Sequence, residues 1–87
     1  MSTARGMIRV TLYTRPGCHL CEEMRVVVDR VAADVPVAVD EVDVDGDPAL
    51  ARAYGEEVPV LCVNGRKAFK YRVGERALRA RLAREEG

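Results

Sequence analysis

Hydrophobic and polar residues follow two different periods in the first part of the chain. Ile8–Thr14 is rich in β-branched and aromatic residues and predicts a strand, which Pro16 and Gly17 end. Beyond this break the apolar residues recur at helical spacing, with charged residues between them, at Cys21, Met24, Val28, Val31 and Val35. The pattern predicts an amphipathic helix from about Cys18 to Asp34.

The middle of the chain predicts another strand and a short helix. Val37 to Val44 alternates as a half-buried strand does. Asp47 followed by Pro48 is typical of a helix start, because the carboxylate caps free N–H groups and proline suits the first helical position. We expect this helix to end at Tyr54, before Gly55.

The last third predicts a hairpin and a final helix. Val60–Val63 is a continuous apolar run, typical of a strand covered on both faces. Asn64-Gly65 is a strong hairpin signal and places the return strand at about Lys67–Tyr71. Leu78 and Leu82 lie one turn apart in a helix predicted over Arg76–Arg84.

The resulting order, β-α-β-α-β-β-α, predicts an α/β fold with a central four-stranded mixed sheet flanked by helices. Strands alternating with helices are expected to pair in parallel, and the hairpin adds an antiparallel part. With 87 residues there is room for one domain, residues 1–87, and we interpret residues 1–6 as a loose leader.

Charge and hydropathy exclude several classes of protein. The 14 basic and 14 acidic residues cancel, so nothing points to nucleic acid or to an anionic membrane. No stretch approaches the roughly 20 apolar residues of a membrane span, and the N-terminus lacks a signal-peptide core. We therefore expect a cytoplasmic monomer, a setting in which a close cysteine pair is more often catalytic or metal-binding than a permanent bridge.

Cys18 and Cys21 stand where the first strand gives way to the first helix. Helical residues three apart have Cβ atoms about 5–6 Å apart, so two sulfurs can join and separate without refolding. The helix N-terminus lowers the pKa of a thiol below its free value of about 8.5, and the thiolate is the attacking species. We therefore predict Cys18 as the nucleophile and the deeper, less exposed Cys21 as the residue that resolves a mixed disulfide.

Three segments carry a resemblance to a known family: Tyr13-Thr-Arg-Pro-Gly-Cys-His-Leu-Cys21, Glu57-Val-Pro-Val60 and Asn64-Gly65. They resemble the glutaredoxin-like members of the thioredoxin superfamily, from about Ile8 to Leu82. The resemblance implies a thioredoxin-like fold and thiol–disulfide oxidoreductase activity that needs no metal or organic cofactor. It implies two kinds of partner: a disulfide-containing protein or glutathione as substrate, and an unidentified reductant.

The resemblance also implies a substrate-binding shelf. A cis-proline faces the cysteines in this superfamily, and Val58-Pro59 stands at the matching position, leaving the Val58 backbone free to pair with an extended substrate. Glutaredoxins hold glutathione partly through a basic residue three positions before the nucleophile, which Arg15 matches. Two other glutathione-binding features differ here, because Glu57 replaces a threonine and Gly74 stands without a second glycine.

Two further residues have open interpretations. His19, the only histidine, either stabilises the Cys18 thiolate and tunes its redox potential or is an exposed side chain with little effect. Cys62 is expected to pack in the core; the alternative is a third thiol for metal binding or oxidation.

The competing hypothesis is a non-catalytic module that senses redox state or binds metal with the same cysteines. Zinc would use Cys18, Cys21 and Cys62, with His19 as an optional fourth ligand, but structural zinc usually takes two separated ligand pairs and the second pair is missing. An iron–sulfur cluster bridging two chains is the other form of this alternative. We predict no metal ligands.

Overall fold

Strands and helices alternate in the order that the sequence predicts. The structure, a computed structural model, describes residues 7–86, so the proposed leader at residues 1–6 lies outside the described residues. The strands are β1 (Ile8–Thr14), β2 (Val37–Asp43), β3 (Val60–Val63) and β4 (Arg66–Lys70). The helices are α1 (His19–Ala32), α2 (Pro48–Tyr54) and α3 (Glu75–Glu86), with a 3-10 turn at Val44–Gly46.

The strands form one mixed sheet in the order β2-β1-β3-β4. β1 and β2 are parallel, with Thr14 opposite Asp43 at their carboxyl ends. β3 runs antiparallel to β1, with Val60 opposite Tyr13, and β4 runs antiparallel to β3. This confirms the predicted α/β fold and brings the ends of β1 and β2 and the start of β3 to the same edge of the sheet.

One face of the sheet, together with α1 and α3, forms the hydrophobic core. Residues at alternate positions of β1 and β3 point to this face, and the helices add residues at three- and four-residue spacing, as the sequence pattern predicts. Full burial of each aliphatic side chain contributes about 1.5–3 kcal/mol relative to exposure. The buried residues of this cluster are Ile8, Val10, Leu12, Met24, Val28, Val31, Leu61, Val63, Leu78 and Leu82.

The opposite face of the sheet is covered, near the edge where β1 ends, by the end of the short helix α2. The Tyr54 ring stacks on Tyr13 of β1, with the ring centroids 4.3 Å apart. All four residues of β3 are buried, which confirms the prediction of a strand covered on both faces. Asp47 caps α2 as expected, its carboxylate accepting the Ala49 N–H at 2.9 Å.

The boundaries differ from the sequence-based ones by a few residues, for local reasons. β2 ends at Asp43 and not at Val44, because the Asp43 carboxylate accepts the Asp45 N–H at 2.8 Å and opens the 3-10 turn. The final helix is longer than expected, beginning at Glu75. Within residues 7–86, none of the helices is long and apolar enough to span a bilayer.

Candidate active site at the cysteine pair

Cys18 is the N-cap of α1 and Cys21 lies in its first turn. The Cys18 backbone is extended, and its sulfur accepts the Cys21 N–H at 3.1 Å. The two residues form a disulfide with their Cα atoms 5.2 Å apart. Cys18 is half-buried, whereas Cys21 is 4% exposed. The difference in exposure that the sequence predicts is therefore present.

The turn before Cys18 aims the chain from the sheet into the helix. Gly17 has a φ of +77°, in the left-handed region that glycine adopts without steric cost. The Cys18 N–H donates to the Arg15 carbonyl at 3.3 Å and closes the turn. The cysteine pair thus stands at the edge where β1 ends.

Val58 and Pro59 lie at the same edge, on the β3 side. Val60 pairs with Tyr13, so the register places Pro59 beside Thr14, at the end of β1. The Val58–Pro59 peptide bond is cis, and the Pro59 carbonyl accepts the Tyr71 N–H at 2.8 Å. The structure therefore brings this segment to the edge that carries the cysteines; its role as a substrate shelf stays a prediction.

A groove of about 340 Å³ opens on the other side of the cysteines, toward β2. The β1–α1 loop, the first two turns of α1 and the end of β2 form its walls. Sequence reasoning missed four of its charged residues: Glu22, Arg25, Glu41 and Asp43. The parallel pairing of β1 and β2 was the available signal, because it places the carboxyl end of β2 beside the cysteine loop.

The two arginines of the groove, Arg15 and Arg25, form hydrogen bonds with other residues of the protein. Arg25 donates to the Asp29 carboxylate at 2.8 Å and to Glu41 at 2.5 Å. The hydrogen bond with Asp29 is the main cause that raises the pKa of Arg25, and Glu41 adds to it against the effect of burial. Arg25 thereby links α1 to the edge strand β2.

Arg15, predicted to hold a glutathione carboxylate, lines the groove and has internal partners that the sequence did not indicate. Its guanidinium donates to the Asp45 carboxylate at 3.1 and 3.2 Å and to the Gly55 carbonyl at 3.0 Å. These bonds tie the loop before Cys18 to the 3-10 turn and to the end of α2. The glutathione-binding role of Arg15 remains a prediction.

His19 is close to Cys18 in sequence but points into solvent. Its side chain is 93% exposed, and Nδ1 lies 3.8 Å from the Glu22 carboxylate. Tuning of the Cys18 thiolate by His19 therefore also stays a prediction.

Cys62 is a free thiol buried in β3, on the face opposite the main core. Burial raises the pKa of this thiol, against the smaller lowering effects of a hydrogen bond with Tyr54 and of the Lys67 charge. A raised pKa keeps the thiol protonated and unreactive at neutral pH. In the part of the chain that the structure describes, no three His, Cys, Asp or Glu side chains are grouped to hold a metal ion.

A mixed β2-β1-β3-β4 sheet with a Cys-x-x-Cys pair at the start of α1 defines a dithiol protein of the thioredoxin-fold class. Residues 9–83 match the glutaredoxin-like domain family (DUF836), and the chain belongs to that family.

Individual proteins are similar to most of the chain. The chain is 31% identical over 81 residues to an uncharacterised protein of Mycobacterium tuberculosis, covering 87% of this chain and 84% of the relative. A thioredoxin of Methanocaldococcus jannaschii is 34% identical over 65 residues, or 71% of this chain and 76% of that protein. A solved structure from X. campestris superposes with a TM-score of 0.74 at 37% identity, covering 86% of this chain and 96% of that one.

Proposed function

We propose that this protein is a thiol–disulfide oxidoreductase that reduces disulfides through Cys18 and Cys21. The observation that carries the proposal is the position of Cys18: a half-buried helix N-cap whose sulfur accepts the Cys21 N–H at 3.1 Å. An N–H donor and the positive end of the helix dipole both favour sulfur as an anion, which is the reactive form.

The reaction takes place in two exchanges. The Cys18 thiolate attacks one sulfur of the substrate disulfide, a Cys18–substrate disulfide forms, and the other substrate sulfur leaves as a thiolate that takes a proton from water. Cys21 then gives up its proton and attacks the Cys18 sulfur, which releases the second substrate thiol and forms the Cys18–Cys21 disulfide. The substrate gains two electrons and two protons, and an external thiol reductant returns them to the pair.

Val58 and Pro59 serve substrate binding in this proposal. The Val58 backbone, before the cis bond to Pro59, pairs with an extended segment that carries the disulfide. The two thiols supply all the redox chemistry, so no resident cofactor is required, and glutathione enters only as a co-substrate. We expect the reaction to run in the cytoplasm, where reductants keep such pairs reduced.

The test compares single-cysteine variants in the reduction of insulin disulfides by dithiothreitol, with mass spectrometry of the protein. Cys18→Ser is expected to fall to the uncatalysed rate, because no nucleophile remains. In a stoichiometric reaction of the reduced protein with insulin, without dithiothreitol, Cys21→Ser is expected to accumulate mixed disulfides, because the variant has no second thiol to resolve them. Cys62→Ser is the matched control and should keep the parent rate, since Cys62 is buried in β3 and does not line the groove beside the cysteine pair.

Full activity of Cys18→Ser would overturn the proposal. A parent protein that forms its disulfide without turning over substrate, or that purifies with stoichiometric metal, would favour the sensing or metal-binding alternative. Reduction of the oxidised protein by glutathione, compared with a thioredoxin and thioredoxin reductase system, identifies the electron donor.

A further inference from the structure

The groove toward β2 lies directly beside both cysteines. Cys18 and Cys21 form one wall, so a molecule whose sulfur reaches Cys18 places its neighbouring groups in or over the groove. The charge of the remaining walls therefore acts on every substrate at the moment of attack.

Those walls carry three carboxylates and two guanidinium groups. Glu22 follows Cys21 on α1 and its side chain is 74% exposed. Glu41 and Asp43 project from the end of β2 across the groove, and both are exposed to solvent. The charged groups of the groove thus come from two elements that the parallel register holds side by side.

The positive charges of the groove are already balanced inside the chain. Arg25 is bonded to Asp29 and Glu41, and Arg15 to Asp45 and the Gly55 carbonyl. The groove lining itself has three carboxylates and two guanidinium groups, a formal excess of one negative charge. With Asp29 and Asp45, which bond to the two guanidinium groups from outside the lining, the excess is three. The residues of this set are Glu22, Asp29, Glu41, Asp43 and Asp45 with Arg15 and Arg25.

We propose that this groove selects disulfide substrates carrying positive charge beside the sulfur, such as a protein cysteine flanked by lysine or arginine. The proposal rests on the oxidoreductase function proposed above. Glutathione disulfide, with four carboxylates and two ammonium groups, is a poor substrate on the same grounds. Two unit charges about 7 Å apart in water interact by about 0.6 kcal/mol, or about threefold in rate, so several carboxylates together produce a marked preference.

Three small disulfides of similar size test the charge preference. Cystamine is cationic, bis(2-hydroxyethyl) disulfide is neutral and 3,3′-dithiodipropionate is anionic at about pH 7. The measurement is the second-order rate constant for oxidation of the fully reduced protein, from acid-quenched samples counted by mass spectrometry. At about 0.01 M salt we expect the cystamine-to-dianion ratio to exceed the same ratio for the free dithiol dithiothreitol by at least about tenfold, because the free dithiol already reacts faster with the disulfide whose leaving thiol is more acidic. At about 1 M salt the two ratios are expected to approach each other.

Glu22→Gln is the matched variant, and Glu56→Gln removes the same charge from an exposed position that does not line this groove. Glu22→Gln is expected to lower the cystamine-to-dianion ratio by about threefold, whereas Glu56→Gln keeps it. The ratio is the informative quantity, because any effect of Glu22 on the Cys18 thiolate itself changes both rate constants equally.

The outcomes separate the two proposals. If all three probes react but the cystamine-to-dianion ratio is no greater than that of dithiothreitol, the charge selection is overturned and the oxidoreductase function stands. A faster reaction with glutathione disulfide than with cystamine has the same meaning. An equal drop of the ratio in both glutamate variants also overturns it, since the effect would then come from overall charge. No reaction with any probe overturns the oxidoreductase function itself.

Discussion

The Arg15 guanidinium and Gly55 meet where the backbone leaves no space for a side chain. A Cβ added at Gly55 would lie 2.9 Å from the Arg15 terminal nitrogen and would collide with the Ala51 carbonyl oxygen. Gly55 has a right-handed φ of −55°, so the close approach, and not a left-handed conformation, requires glycine here. This contact holds the end of α2 against the loop that presents Cys18.

Gly55→Ala is therefore expected to lower the free energy of unfolding by about 2 kcal/mol, the usual size of an overpacking penalty. Urea denaturation measures it. Gly46→Ala is the control, since a Cβ at Gly46 meets no atom within 4 Å. Equal stability of the two variants would contradict the close-packing explanation.

At the scale of elements, one carboxylate links the segment before β3 to β4. The Glu57 carboxylate accepts a hydrogen bond from the Lys67 ammonium at 2.6 Å and lies 3.4 Å from the Lys70 ammonium. The hydrogen bond from Lys67 is the main cause that lowers the pKa of Glu57 below its ordinary 4.5, with Lys70 adding to it. Glu57 stands where the resemblance places a glutathione-binding threonine, and here it stabilises the hairpin.

The ion pairs of Glu57 with Lys67 and Lys70 make the stability of the protein depend on pH. A carboxyl whose pKa is lower in the folded state stabilises the fold above its unfolded value, and the contribution is lost as pH falls through the folded pKa. Glu57→Gln is expected to be less stable than the parent near neutral pH. The stabilities of the two proteins are expected to converge as the pH falls below 4.5, the ordinary pKa of a glutamate.

Thermal unfolding across this pH range measures the difference. Glu56→Gln controls for the charge removed and should follow the parent curve. Parallel curves for the parent and Glu57→Gln would show that Glu57 does not contribute through its ionised form.

At the scale of the whole molecule, a single core must stabilise a chain of 87 residues. Leu12 is at the centre of it, 0% exposed, on the strand that both β2 and β3 flank. A domain of this length is typically stable by about 4–13 kcal/mol, so the loss of one central side chain removes a large share.

Leu12→Ala is expected to lower the free energy of unfolding by about 3–4 kcal/mol, from lost burial and the cavity left behind. Chemical denaturation is the measurement. Val26→Ala, at a site 49% exposed on α1, is the control and should change stability by less than about 1 kcal/mol. A small effect at Leu12 would mean that the core closes around the cavity.

Local sequence patterns predicted some residues of the site, whereas contacts between distant segments could not be predicted. Cys18 and Cys21 were found because a Cys-x-x-Cys pair before an amphipathic helix is a local pattern. The position of Glu41 and Asp43 beside the cysteines was not predicted, since nothing local in the sequence shows that they line the same groove as α1. Arg15 was assigned to an external carboxylate because its partner, Asp45, lies 30 positions further along the chain.

The sequence by itself determined the order of strands and helices, the residues that form the core and the position of the cysteine pair. Hydrophobic periodicity, helix caps and turn residues act over a few positions, and these features depend on them. Only the tertiary structure decided the charge around the cysteines, because the register of β1 against β2 brings Glu41 and Asp43 to the groove. It also decided that Arg15 is bonded to Asp45 and Gly55, since contacts between distant segments exist only once the sheet has formed.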